Sequence, residues 1–203
     1  IIIILFVNLI ISLLVIKHTD KNYLFASLLL AFSLYLFYST SKDLLNKQLS
    51  LAQKVAHFSF SLLILSILMN GIMSKEYNLN MKVGDQAQIT DRLIVFKDLE
   101  VLKKDNFQIF KGYFEVKNNS GKVFDFFPEI RVYDQPNIST SEADINISIF
   151  NDNVMTFNYL NDGDYFNVRF QYKPLMLWIW VSTFLLGLSG FLKISSRTWL
   201  QKK

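Results

Sequence analysis

The chain contains no cysteine in its 203 residues. That excludes disulfides, thiolate nucleophiles, thiolate metal sites and any covalent thioether link to this chain. Histidine is used only twice, at positions 18 and 57. Charge is missing from four long stretches: residues 1–16, 22–41, 55–73 and 175–192 contain no Lys, Arg, Asp or Glu. The first of these resembles the apolar part of a signal peptide. It lacks the initiator Met, the basic front and the small-residue cleavage site that such a peptide carries. A chain that opens on Ile1-Ile2-Ile3-Ile4 is expected to start inside a longer protein.

What fills those stretches is hydrocarbon. Hydrophobic residues make up 51% of the chain, with 19 phenylalanines, and the mean hydropathy is positive. Helical spans of about 20 uncharged residues, each rising about 1.5 Å, match a hydrocarbon layer about 30 Å thick. A buried helical core in a soluble protein would need more polar chain than this sequence offers. The expected fold is therefore an integral membrane protein of mixed class. It has about four transmembrane helices and a mostly antiparallel β domain outside the membrane, between the third and fourth. The expected organisation is residues 1–74 as helices (about 1–16, 22–41 and 55–73) with short loops, 75–174 as the β domain, and 175–203 as a final helix with a basic tail.

Charge orients this arrangement. Residues 75–174 hold 12 Lys plus Arg and 15 Asp plus Glu, whereas the other 103 residues hold 9 basic and 2 acidic. The overall net charge of +4 thus belongs to membrane flanks, and no nucleic-acid partner follows from it. Lys42, Lys47 and Lys54 precede the third span, and Lys193, Arg197, Lys202 and Lys203 follow the fourth. Positive flanks mark the cytoplasmic or matrix side. The β domain then lies outside, despite the mild conflict posed by Lys17 and Lys21 in the outer turn.

Four stretches of the outer domain are rich in Val, Ile, Phe and Tyr: residues 88–102, 107–117, 122–134 and 154–172. Tyr113, Glu115 and Lys117 alternate with Phe114 and Val116. Phe166, Val168 and Phe170 alternate with Asn167, Arg169 and Gln171. One wet face and one buried face predict a small antiparallel sandwich or barrel. Turns are expected at 118–121 (NNSG) and 161–164 (NDGD), with Pro128 at an edge or bulge. No element is assigned to 137–150. Tyr172, Trp178 and Trp180 form an aromatic collar where the last strand runs into the fourth span.

His57 sits near the inner end of the third span and carries the functional question. An imidazole in hydrocarbon needs partners for its nitrogens. One reading gives it a hydrogen bond to a neighbouring helix, or water beside Lys54. The other gives it a metal: imidazole suits iron, and apolar helices can enclose a haem. Ala52, Ala56 and Ser59 would allow close approach on one side, and Ser61, Ile64 and Leu68 follow His57 on another. A second axial histidine would have to come from elsewhere, because His18 lies in the outer turn beside Asp20. His18 itself reads as a solvated turn residue.

Residues 50–200 resemble the carboxy-terminal part of the cytochrome c maturation protein F family, CcmF. The motifs carrying this are Ala56-His57, Ser59 and Gly71 on the helix, then Gly84-Asp85. Gly112-Tyr113-Phe114, Pro128-Glu129 with Arg131 and Tyr133, and Ser141-Glu142-Ala143 follow, and Tyr172-Lys173-Pro174 leads into Trp178 and Trp180. After residue 144 the chain departs from the family pattern. The resemblance implies a C-terminal fragment of an integral membrane haem lyase that attaches haem to the CXXCH thiols of apocytochrome c. It implies that His57 is one axial ligand of a transmembrane haem b, shared with a histidine outside this chain, and that the substrate haem is carried by upstream parts. Expected partners are the upstream part of the lyase, the haem chaperone CcmE, a thiol-handling CcmH-type subunit and apocytochrome c. The expected location is the bacterial inner membrane, or the mitochondrial inner membrane where the gene is organelle-encoded. A protein acting by positioning needs no nucleophile of its own, so no catalytic residue is assigned. Glu129, Arg131 and Glu142 are the polar residues of the outer domain singled out for partner contact, against the simpler reading of a same-face pair on one strand. The alternative function is a non-catalytic membrane anchor or assembly subunit presenting a β domain. A transporter fragment is disfavoured by the uncharged spans.

Overall fold

Hydroxyl side chains lie inside the helical part of this protein and hydrocarbon lies outside, the reverse of a water-soluble bundle. The computed structural model describes residues 2–17, 23–90, 92–119, 121–160 and 165–200. His18, Asp20 and the expected turn at 161–164 lie outside the described residues. The chain divides into two compact units. One comprises residues 1–74, 148–151 and 174–203, and the other comprises 75–147 and 152–173.

The first unit contains α1 (Ile2–Ile16), α2 (Tyr23–Asp43), α3 (Leu51–Met73) and α4 (Met176–Leu200). Consecutive helices pack on one another, α1 on α2, α2 on α3 and α3 on α4. Ser50 starts α3 through a capping box: its hydroxyl accepts the Gln53 N–H, and the Gln53 side chain accepts the Ser50 N–H. Ser12, Ser27, Ser33, Thr40, Ser59, Ser61, Ser66, Ser182 and Ser189 are buried. Most hydroxyls are satisfied along their own helix, as in Ser12 to the Asn8 carbonyl at 2.7 Å and Ser59 to the Val55 carbonyl at 2.6 Å. Phe6, Phe25, Phe32, Phe60, Ile67, Phe184 and Phe191 point outward. Small hydroxyl residues between helices and apolar bulk outside are what lipid as a solvent selects. Among the described residues, α3 and α4 are long and apolar enough to cross a membrane, and α1 is a shorter apolar helix.

The second unit is two antiparallel sheets. Its strands are β1 (Lys75–Met81), β2 (Gln86–Ile89), β3 (Arg92–Lys104), β4 (Phe107–Asn118), β5 (Val123–Phe126), β6 (Glu129–Tyr133), β7 (Ile138–Glu142), β8 (Asp144–Asn146), β9 (Asn151–Tyr159) and β10 (Phe166–Pro174). One sheet runs β1-β10-β9-β8. The other runs β2-β3-β4-β6-β7, with β5 also on β4. The two share a core of Phe96, Phe114, Phe126, Phe157, Phe166 and Phe170 with Ile94, Val116, Ile130, Met155 and Val168. Phe96 stacks on Phe114 at 4.2 Å between centroids, and Phe157 meets Phe114 edge-on at 5.7 Å, the arrangements that aromatic quadrupoles favour.

The alternating patterns in β4 and β10 bury the residues expected: Phe114, Val116, Phe166, Val168 and Phe170 are all inside. The turn after β4 forms with Gly121 at φ +78° and the Asn118 side chain accepting the Lys122 N–H. Pro128 falls in the break between β5 and β6, where its carbonyl accepts the Gly112 N–H at 3.0 Å. Gly112 has no space for a side chain: a Cβ there would lie 2.5 Å from Phe114 Cε2 and 3.2 Å from Phe157 Cζ. Three strands, β1, β7 and β8, form where no strand was assigned from sequence. In β1, Tyr77, Leu79 and Met81 alternate with Glu76, Asn78 and Asn80, a signal that was there to read. Strands β7 and β8 are short, polar and at sheet edges, where apolar alternation is absent because little is buried.

Candidate functional site

The His57 imidazole is set by the packing of α2 against α3. Three side-chain pairs step along that contact. Phe37 and Phe58 lie 5.5 Å apart between centroids, and the Thr40 and Ser61 hydroxyls share a hydrogen bond of 2.6 Å. At the end nearest the α2–α3 loop, His57 Nδ1 lies 3.0 Å from Asp43 Oδ2. Asp43 is the last residue of α2. Lys54, one turn before His57, donates to the Leu44 carbonyl at 3.1 Å and pins the connecting loop to the same end.

Asp43 as acceptor fixes the proton on Nδ1 and leaves the Nε2 lone pair outward. Among the described residues Nε2 has no hydrogen-bond partner. The His57 side chain is 49% exposed in this chain and Asp43 33% exposed, so the ring edge is open to a group brought from outside. Among the described residues no cluster of three or more His, Cys, Asp or Glu could hold a metal ion on its own. A site contributing one axial imidazole needs no such cluster. An imidazole whose other nitrogen is held by a carboxylate is the usual setting of a metal-ligating histidine, so His57 fits a haem iron by its donor chemistry.

Asp43 was not singled out from sequence. The signal was present: Asp20 and Asp43 are the only acidic residues outside 75–174, and Asp43 lies among Lys42, Lys47 and Lys54. Its distance of 14 residues from His57 along the chain hid the pairing, which only a helical hairpin brings about.

The three polar residues singled out in the β unit come together on the solvent-side face of the β4-β6-β7 sheet. Arg131 donates from Nη2 and Nε to Glu129 Oε2 at 2.9 and 3.1 Å, along one strand. Glu129 stands opposite Glu142 in the β6-β7 register and opposite Lys111 on β4. Thr140 donates to Glu142 at 3.2 Å. The Glu129 hydrogen bond first, and the Glu142 charge further off, raise the pKa of Arg131. The guanidinium is thus engaged within its own sheet, and surface pairs of this kind contribute only about 0.2–1 kcal/mol. Lower on β4, Glu115 is held below the usual carboxylate range by Lys117 and then Lys97.

Comparison with known proteins places this geometry. Residues 72–174, just over half the chain, match the family model described as the CcmF C-terminal β-sandwich. The chain is 28% identical over 116 residues to the cytochrome c-type biogenesis protein ccl1 of Rhodobacter capsulatus, covering 57% of this chain and 18% of that protein. It is 24% identical over 143 residues to CcmF of Haemophilus influenzae, covering 70% and 22%, and 25% identical over 137 residues to CcmF of Escherichia coli, covering 68% and 21%. The chain therefore spans about a fifth of the length of these curated relatives. Its fold matches a solved cytochrome c haem lyase CcmF with a TM-score of 0.66 at 18% identity, over 93% of this chain and 33% of that one. A helical unit carrying one carboxylate-held imidazole and a two-sheet unit matching the family model lead to one conclusion: this chain belongs to the CcmF family of cytochrome c biogenesis proteins.

Proposed function

We propose that this chain is the C-terminal portion of a cytochrome c haem lyase and that His57 supplies one axial ligand to a transmembrane haem b. The observation carrying this is the His57–Asp43 hydrogen bond, which leaves Nε2 as the free donor on an apolar helix of a CcmF-family chain. In this reading α1 to α4 all span the inner membrane and the β unit lies on the outer side. The second histidine belongs to the part of the lyase not contained in this chain.

When bound, a haem with two imidazole ligands supplies one-electron chemistry without ligand loss, suited to keeping substrate haem ferrous. The residues of this chain do the holding. Asp43 keeps the proton on Nδ1 and orients the ring. Thr40 and Ser61 lock the helix pair one turn deeper. Attachment of the substrate's haem vinyl groups to CXXCH thiols is assigned to the assembled lyase, with the haem chaperone CcmE, a CcmH-type subunit and apocytochrome c as partners. Glu129, Arg131 and Glu142 are proposed to contact one of them.

A pyridine haemochrome measurement on the assembled lyase tests the assignment. His57→Ala is expected to remove the b-type haem while the protein still accumulates. Undiminished haem in that variant would return the His57–Asp43 pair to a structural tie and favour the membrane-anchor reading.

A further inference from the structure

The link between β8 and β9, residues 147–150, reads Ile-Ser-Ile-Phe and carries no charge. Exposed loop tips are usually built from small and polar residues. Here Ile149 is 59% exposed and Phe150 68% exposed. Their position is fixed within the helical unit, to which residues 148–151 and 174–203 both belong. The Phe150 carbonyl accepts the Leu175 N–H at 2.8 Å. Leu175 is the single residue between β10 and α4, and it takes a left-handed φ of 56°. Its own carbonyl accepts the N–H groups of Trp178 and Ile179 at 3.1 and 3.2 Å, which opens α4. At the same level Asn70, near the end of α3, donates from Nδ2 to the Pro174 carbonyl at 2.7 Å.

The apolar tip is thus bonded to the residue that starts a helix of membrane length. Trp180, 65% exposed, follows within the first turn and a half. Tryptophan at a helix entry marks the headgroup level. An uncharged aliphatic–aromatic pair held at that level meets the boundary between headgroups and acyl chains. We propose that Ile149 and Phe150 insert into the leaflet that α4 enters, forming a lipid-binding anchor that sets the depth of α4. The proposal rests on α4 being a membrane span. Lipid is favoured over a protein partner because the link bears no charge and lies level with the helix's own aromatic belt.

The absence of cysteine makes the test clean. Nitroxide labels are placed on single-cysteine variants Phe150→Cys and Ile149→Cys of the full chain, in phosphatidylcholine vesicles containing phosphatidylglycerol. Phe184→Cys, on the outward face of α4, and Lys103→Cys, on the exposed end of β3, serve as references. Collision with oxygen is expected to exceed collision with a water-soluble nickel chelate severalfold at 149, 150 and 184, and to reverse at 103. Chelate access at 149 and 150 matching that at 103 would overturn the proposal, as would access to neither reagent, which means packing against protein. With Phe184 lipid-facing in either case, the span reading survives that failure. A chelate-favouring label at 184 would overturn the span reading and the proposal with it.

Discussion

Asp43 and His57 show how much one carboxylate decides. With Asp43 as acceptor, only one imidazole tautomer is favoured and only Nε2 is left to give a lone pair. Outer partners of this kind typically change metal affinity by about 10–100-fold when removed. Asp43→Asn is expected to lower b-type haem occupancy on dilution and to raise the midpoint potential of what remains, because a less basic imidazole and a lost negative charge both favour ferrous iron. Asp43→Glu should restore part of each. Potentiometric titration of the assembled complex checks this, and an unchanged potential in Asp43→Asn would leave Asp43 with a packing role alone. His57 was legible in the sequence because it is a lone imidazole near the end of a charge-free run. Asp43 was not, because a helix–loop–helix contact joins residues whose linear spacing carries no periodicity.

At the scale of elements, the long strands could be read because their period of two divides a buried face from a wet one. In β4 and β10 the buried side chains are apolar, and every charged side chain stays at least partly exposed. The edge strands β7 and β8 could not, since neither pays into the core. Gly112 is the tightest point of the sandwich, beneath Phe157 and beside the break at Pro128. Gly112→Ala is expected to destabilise the β unit by about 1–3 kcal/mol, the usual cost of overpacking, seen as a lower thermal midpoint of the full chain in micelles. A midpoint equal to wild type would mean the Phe114 ring can swing aside. Glu115 gives the same unit an acid dependence. Its folded pKa lies below the unfolded value of about 4.3. The stabilisation is therefore present above that value and is lost as pH falls through the lower folded pKa. Wild type should lose thermal stability in that acid window more steeply than Glu115→Gln. Parallel pH profiles for the two would show that the Lys117 and Lys97 contacts contribute nothing.

For the whole molecule, composition spoke loudly and arrangement quietly. Uncharged runs marked α1 and α2 within a few residues of their ends, whereas α3 begins four residues earlier than its run because Ser50 and Gln53 cap it there, and α4 continues to Leu200, past Lys193 and Arg197. The inward hydroxyls and outward phenylalanines then agree with a lipid surround. The proposed orientation rests on Lys42, Lys47 and Lys54, and it makes a direct prediction. In intact cells a membrane-impermeant maleimide should label Lys103→Cys from outside and reach Lys47→Cys only after permeabilisation. The opposite pattern would invert the topology. The second histidine of the proposed haem site would have to come from outside this chain, which spans about a fifth of its relatives' length. The central claim, that His57 Nε2 binds haem iron, is tested most directly by low-temperature electron paramagnetic resonance of the oxidised, assembled complex. A low-spin signal from two imidazoles that turns high-spin or vanishes in His57→Ala is the predicted result; a low-spin signal unchanged by that substitution would contradict it.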